Sequence, residues 1–147
     1  MSKQFKLKII TPEKLIYEEL VDEVTVPTTE GEIGILANHI PVIAGLKAGD
    51  IVAFINREQI PFAVVGGFVE VKKEDDVTNV IILADFAEHV SELTDEAVEA
   101  AKARAEELRK QAENEEIVDF EHFESELARS LTRVKIADKW KTRKYRR

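Results

Sequence analysis

The chain has 147 residues, 44% hydrophobic and 34% charged, with a formal net charge of −8 and no cysteine, which excludes a disulfide framework, a thiolate metal site and a thiol nucleophile. Its longest uninterrupted apolar stretch, Phe62 to Val69, is far short of the roughly 20 residues that cross a bilayer. With no apolar signal segment in Met1-Ser2-Lys3-Gln4-Phe5, a protein of the cytoplasm or its equivalent is expected.

All six glycines and all four prolines lie before residue 68. Turn chemistry is therefore confined to the front of the chain, which is predicted to be strands, while the Ala-, Glu-, Lys- and Leu-rich back is predicted to be helix. Phe5, Leu7 and Ile9 alternate with Lys6 and Lys8, as a strand with one buried face requires. After Thr11-Pro12-Glu13, strands are expected over Leu15 to Glu19 and Leu20 to Val26. The second of these sets Val21, Glu23 and Thr25 against Asp22, Val24 and Val26 and ends at Pro27. Thr28 to Glu32 reads as an acidic loop, Ile33 to Leu36 and Pro41 to Gly45 as short apolar runs, and Ile51 to Ile55 as a strand ending at a polar hairpin tip. Phe62 to Val71 and Val77 to Leu83 complete a set of about eight to ten strands at the spacing of a β-sandwich. Gly66-Gly67, inside an apolar run, marks a bulge or a close backbone approach rather than a ligand cradle.

Beyond Ala84 the period changes. Thr94 or Ser91 is the expected N-cap of a helix to about Glu113, with Val98, Ala101, Ala105, Leu108 and Ala112 on one stripe. Asn114-Glu115-Glu116 reads as a short connection to a helix from about Asp119, with Phe120, Phe123, Leu127, Leu131 and Val134 on one face. The fold class is thus α+β, a sandwich over residues 1–85 followed by an antiparallel two-helix hairpin over 90–147. An alanine stripe buries little area and supplies only a few kcal/mol at about 25 cal/mol per Å², so the hairpin is expected to open readily.

Charge divides the chain as well. Residues 1–130 carry 13 basic and 28 acidic side chains, whereas 131–147 carry 8 basic and 1 acidic. A basic end on an acidic protein suits nucleic acid, anionic lipid or an acidic protein surface, or simply the C-terminus of a helix. Trp140 and Tyr145 in that tail are too few for a base-stacking platform. No catalytic or metal-binding constellation is expected: His39, His89 and His122 are assigned to a turn, a linker and a helix, without carboxylates at triad or ligand spacing. Gly31-Glu32-Ile33-Gly34 lacks the Lys-Ser/Thr of a phosphate loop.

Val24-Thr25-Val26, the run Glu30-Gly31-Glu32-Ile33-Gly34-Ile35-Leu36-Ala37-Asn38-His39-Ile40-Pro41-Val42, then Leu46 to Gly49, Phe62 to Val71 and Val80 to Asp85 resemble the epsilon subunits of F-type ATP synthases in order and spacing. The resemblance implies a non-catalytic rotor subunit at the cytoplasmic face of the membrane, held there only through its complex. The sandwich would bind the gamma subunit and the membrane rotor ring, and the hairpin would extend along gamma to inhibit ATP hydrolysis. It places Glu30, Gly31 and Glu32 at the ring and His39 near the gamma and ring contact. Arg129, Arg133, Lys135, Lys139 and Lys141 would meet acidic loops of the catalytic beta subunits, with opposite charge steering the encounter. No cofactor is implied. Where some members bind ATP through Ile or Leu, Asp, two variable residues, Arg and Ala, this chain has Leu93-Thr94-Asp95-Glu96-Ala97-Val98. Thr94 replaces the Asp and Ala97 the Arg, removing the guanidinium fork that would hold phosphate. The competing readings are a nucleic-acid module built on the basic tail and a small-molecule-binding sandwich; against the first, the acidic front repels phosphate.

Overall fold

The computed structural model describes residues 3–114 and 119–144, with side chains as far as 141. Its contacts divide the chain into two compact units between His89 and Val90.

The first unit contains eight strands: β1 (Phe5–Ile10), β2 (Leu15–Val21), β3 (Glu23–Thr28), β4 (Gly31–Leu36), β5 (Val42–Gly45), β6 (Gly49–Ile55), β7 (Glu58–Glu74) and β8 (Val77–His89). They hydrogen-bond in the order β2-β1-β8-β7-β6-β3-β4, with β5 paired to β7; β1 runs parallel to β8 and the other pairings are antiparallel. The alternation in β1 is realised: Phe5, Leu7 and Ile9 join Val21, Val24, Val26, Ile35, Ile51, Phe62, Val64, Val69, Val71, Val80 and Ile82 in one buried core.

The β7–β8 hairpin is the backbone of this unit. Its first half pairs with β6 and its second with β5 along the same edge, so one strand serves both layers of the sandwich. The change of partner falls at Gly66 and Gly67, whose φ angles are +67° and +103°. A Cβ on Gly67 would lie 2.0 Å from the Leu83 carbonyl oxygen, so this glycine permits a close backbone approach, and the β7–β8 register runs through it without slipping.

Several boundaries differ from the sequence reading, each for a local reason. The predicted Leu20–Val26 strand is broken at Asp22, whose N–H donates to the Phe54 carbonyl and whose carboxylate accepts from the Asn56 N–H. Val21 and Val24 can then both face inward. Pro27 lies inside β3, beyond the last β3–β6 pair, where its missing N–H costs no ladder bond. Gly31 and Glu32 are the first residues of β4 rather than part of a loop, because Gly31 takes φ +115° and starts the pairing opposite Thr28. His89 is not in a linker: β8 continues to it, and its ring meets Phe62 edge-on at 5.0 Å.

The second unit opens with a 3-10 turn, Val90–Glu92, followed by α1 (Asp95–Glu113) and α2 (Phe120–Lys144). Thr94 caps α1, its hydroxyl oxygen accepting from the Ala97 N–H at 3.1 Å, and Asp95 and Glu96 occupy the first turn where the helix dipole favours them. Ala101, Ala105 and Leu108 are buried as the stripe predicts, but Ala112 is exposed. On α2 the expected stripe is only partly inward: Phe123, Leu127 and Val134 are half-buried, while Phe120 and Leu131 are exposed. Ser130, Thr132 and Ile136 take the fully buried positions. Glu115, Glu116 and Tyr145 lie outside the described residues.

Candidate docking surface and helical clasp

Strand pairing lines up a set of side chains on the outward face of the first unit. Phe68 of β7 stands opposite Leu83 of β8, Leu83 beside Ile10 of β1, and Ile10 opposite Leu15 of β2. The next row holds Ile43 opposite Glu70, then Ile81 and Lys8, with Lys8 opposite Glu18. Phe68, Leu83, Leu15 and Ile43 are 59%, 54%, 51% and 68% exposed. A contiguous, exposed apolar row across four strands has the character of a protein-binding surface.

One edge of that face is charged and ordered. Glu18 bridges Lys6 at 3.3 Å and Lys8 at 3.5 Å, and Lys72 meets Glu70 at 3.3 Å. The hydrogen bond from Lys6 lowers the Glu18 carboxyl below its usual range, with both lysine charges acting in the same direction. Apolar centre and ionic margin together match the anatomy of a specific interface.

The sequence reading placed no site residue on this surface. A signal was present in Val80-Ile81-Ile82-Leu83, an unbroken apolar run where a strand with one solvated face would alternate. Ile82 is buried in the core, while Ile81 and Leu83 point the other way.

Of the residues expected at the ring and gamma contact, Glu30, Gly31 and Glu32 are exposed and His39 is half-buried, and the four do not form a single patch. Glu30 lies in the β3–β4 turn, where its N–H donates to the Thr28 hydroxyl oxygen at 3.2 Å, and Gly31 and Glu32 open β4. His39 follows the other end of β4. Its N–H donates to the Leu36 carbonyl, and its Nδ1 is 2.7 Å from the Ile40 carbonyl oxygen. At about 3.3 Å per residue the strand separates the two ends by roughly 17 Å.

The cations expected to meet catalytic subunits all lie on α2, but around its circumference. At about 100° per residue Arg129 and Arg133 share one side, Lys135 and Lys139 another, and Lys141 falls on a third. Lys141 Nζ is 3.7 Å from the Asp95 carboxylate of α1.

Hydrogen bonding between the helices is concentrated at Arg104. Its Nε and Nη2 donate to the two oxygens of Glu126 at 2.6 and 2.9 Å, a bidentate fork across the hairpin, and its Nη1 lies 3.1 Å from Glu107. His122 Nε2 is 3.5 Å from the same Glu126 carboxylate, one turn along α2. The fork from Arg104 holds the Glu126 carboxyl below the ordinary carboxylate range, assisted by the charges of Arg104, His122 and Arg129. Glu126 and Glu107 in turn raise the Arg104 guanidinium. Nothing in the stripe of apolar residues foretold this pair.

No group of three or more metal-ligating side chains occurs among the described residues, and no described helix is long and apolar enough to cross a membrane. The Thr94 hydroxyl, at the position where the ATP pattern has Asp, is engaged in capping α1.

A family model described as the ATP synthase delta/epsilon chain β-sandwich domain matches residues 4–90. The chain is 37% identical over 139 residues to an ATP synthase epsilon chain of Syntrophobacter fumaroxidans, covering 95% of this chain and 99% of that one. It is 40% identical over 131 residues to the epsilon chain of Halalkalibacterium halodurans, covering 89% and 95%. Among solved structures, a chain of the Euglena gracilis mitochondrial ATP synthase OSCP/F1/c-ring assembly shares the fold at a TM-score of 0.59 and 22% identity, over 95% of this chain and 80% of that one. A strand unit that carries the family's own sandwich, in a chain alike over most of its length to epsilon chains, settles the assignment: the chain belongs to the epsilon family of F-type ATP synthases, accessory subunits that do not themselves catalyse.

Proposed function

We propose that this subunit couples gamma to the membrane rotor ring through its strand unit and restrains ATP hydrolysis through its helical hairpin. The observation that carries the coupling half is the apolar row of Phe68, Leu83, Ile10 and Leu15, flanked by Ile43 and Ile81. Such a row on a rigid sheet needs a covering partner, and gamma is the one that family membership offers. The assemblies in which similar folds occur, described as F1/c-ring and central stalk/c-ring, fit this reading.

Glu30, Gly31 and Glu32 then present an exposed acidic turn to the ring, and His39 lies at the opposite end of β4, nearer gamma. The catalytic beta subunits are met by α2. Because Arg129 and Arg133 lie on a different side of α2 from Lys135 and Lys139, both pairs become available together only if the hairpin opens. The restraint on hydrolysis therefore requires a change of hairpin state, with opposite charge steering the contact.

The test is reconstitution into an ATPase core lacking its epsilon subunit. Phe68→Asp with Leu83→Asp should weaken gamma binding at least ten-fold, the loss expected when charges enter an apolar interface core. Truncation after Val90 should keep assembly while relieving inhibition. Undiminished binding by the double variant would overturn the docking surface, and undiminished inhibition by the truncated chain would overturn the brake.

A further inference from the structure

The hairpin has an unusual division of labour. Its apolar seam is small, built on α1 from Ala101, Ala105 and Leu108, and such a seam lets two helices approach closely while burying little. Arg104 adjoins Ala105 on the margin of that seam, and Glu126 holds the corresponding place on α2, between Phe123 and Ser130. Close approach is what allows a guanidinium on one helix to meet a carboxylate on the other with both hydrogen bonds short, 2.6 and 2.9 Å. Bidentate pairs of this kind fix orientation as well as distance, which a row of methyl groups cannot do.

We infer that the Arg104–Glu126 fork is the catch of the hairpin, the contact whose making and breaking sets the fraction of molecules with α1 and α2 apart.

The surroundings fit a catch that can be released. The Arg104 and Glu126 side chains are 37% and 29% exposed, so water and ions reach the pair, and a buried, desolvated bridge would not yield in this way. Arg104 has a second carboxylate, Glu107, one turn along its own helix at 3.1 Å, ready to receive it when Glu126 leaves. Glu126 has His122 at 3.5 Å on its own helix, and Arg129 close enough for its charge to be felt. Arg104 thus keeps Glu107 after release, and Glu126 keeps the charge of Arg129 on its own helix. A second cross-helix pair, Lys141 with Asp95, is longer at 3.7 Å and more exposed, and contributes little to closure. Any acidic surface that offers Arg104 a better carboxylate competes directly with Glu126.

The consequence for hydrolysis rests on the proposed brake, but the catch itself is tested on the isolated full-length chain and stands or falls without it. The chain has no native cysteine, so Ala100→Cys on α1 and Ser125→Cys on α2, both exposed, accept spin labels specifically. The distance distribution between them should show one short population in the parent. Glu126→Gln should raise the separated population about two- to five-fold, the range open to a partly exposed pair, with helix content by circular dichroism unchanged. Arg104→Gln, which removes the other half of the fork, should raise the separated population by a similar factor. Raising salt to 1 M should move the parent toward Glu126→Gln and leave Glu126→Gln itself unmoved. An identical distribution in parent and Glu126→Gln, no salt response in the parent, or a parent-like distribution in Arg104→Gln would each overturn the catch. Should Glu126→Gln lose helix content, the salt response of the parent alone decides.

Discussion

The strand unit and the helical unit are held together by different physics. In the first, fifteen side chains larger than alanine from all parts of residues 5–82 are sealed into one core, and the longest hairpin pairs without a slip through twelve registered positions. In the second, α1 offers two alanines and one leucine, and an exposed ionic fork supplies the orientation. The first rests on an extensive buried core and the second on far less buried apolar area. The division suits the two proposed roles, coupling through the strand unit and restraint of hydrolysis through the hairpin.

The comparison can be broken first at the stiff end. Gly67→Ala places a methyl group 2.0 Å from the Leu83 carbonyl at a φ of +103°, and the β7–β8 pairing must give way. A loss of more than about 4 kcal/mol is expected in denaturant unfolding of the strand unit. Phe62→Ala, which empties a fully buried site packed by Tyr17 and His89, should cost about 3–5 kcal/mol in the same measurement. Neither change should alter the helical signal at temperatures where the strand unit remains folded.

At the soft end the effects shrink. Leu108→Ala removes the largest buried side chain of α1 and should cost about 2–3 kcal/mol, read as earlier loss of helical ellipticity with the strand unit's transition unmoved. Thr94→Ala deletes the N-cap, and about 1 kcal/mol of helix stability should go with it, visible as fraying of the first turn in amide exchange. Acid gives the smallest effect. The Glu126 carboxyl is depressed in the folded hairpin, so its contribution is complete above the ordinary carboxylate range and fades as pH falls through the lowered folded value. Between pH 7 and pH 3 the helical transition should shift downward in the parent and much less in Glu126→Gln.

The sequence made the organisation of these units legible where one residue type has one physical use. Six glycines and four prolines confined to the front marked the strands, and Thr94 before Asp95 and Glu96 marked the first helix, because backbone freedom and capping are local properties. The outward row was less visible because alternation was read for the core alone. Whether Ile81 and Leu83 belong to a second apolar face depends on register with β1 and β7, which no local pattern encodes. The exposed side of α2 was misassigned for a related reason. Phe120 and Leu131 are apolar and helically spaced, but the buried positions went to Ser130, Thr132 and Ile136. The Arg104–Glu126 fork joins residues 22 apart, each of which has attractive partners within its own helix, so spacing alone favoured the wrong pairs.

Native-state hydrogen exchange on the intact chain tests the contrast most directly. Amides of α1 and α2 should open with a free energy several kcal/mol below those of β7 and β8, in a separate cooperative event that Glu126→Gln accelerates and that leaves the strand unit untouched. A single opening shared by helices and strands, with equal protection in both, would contradict a stiff body carrying a releasable hairpin.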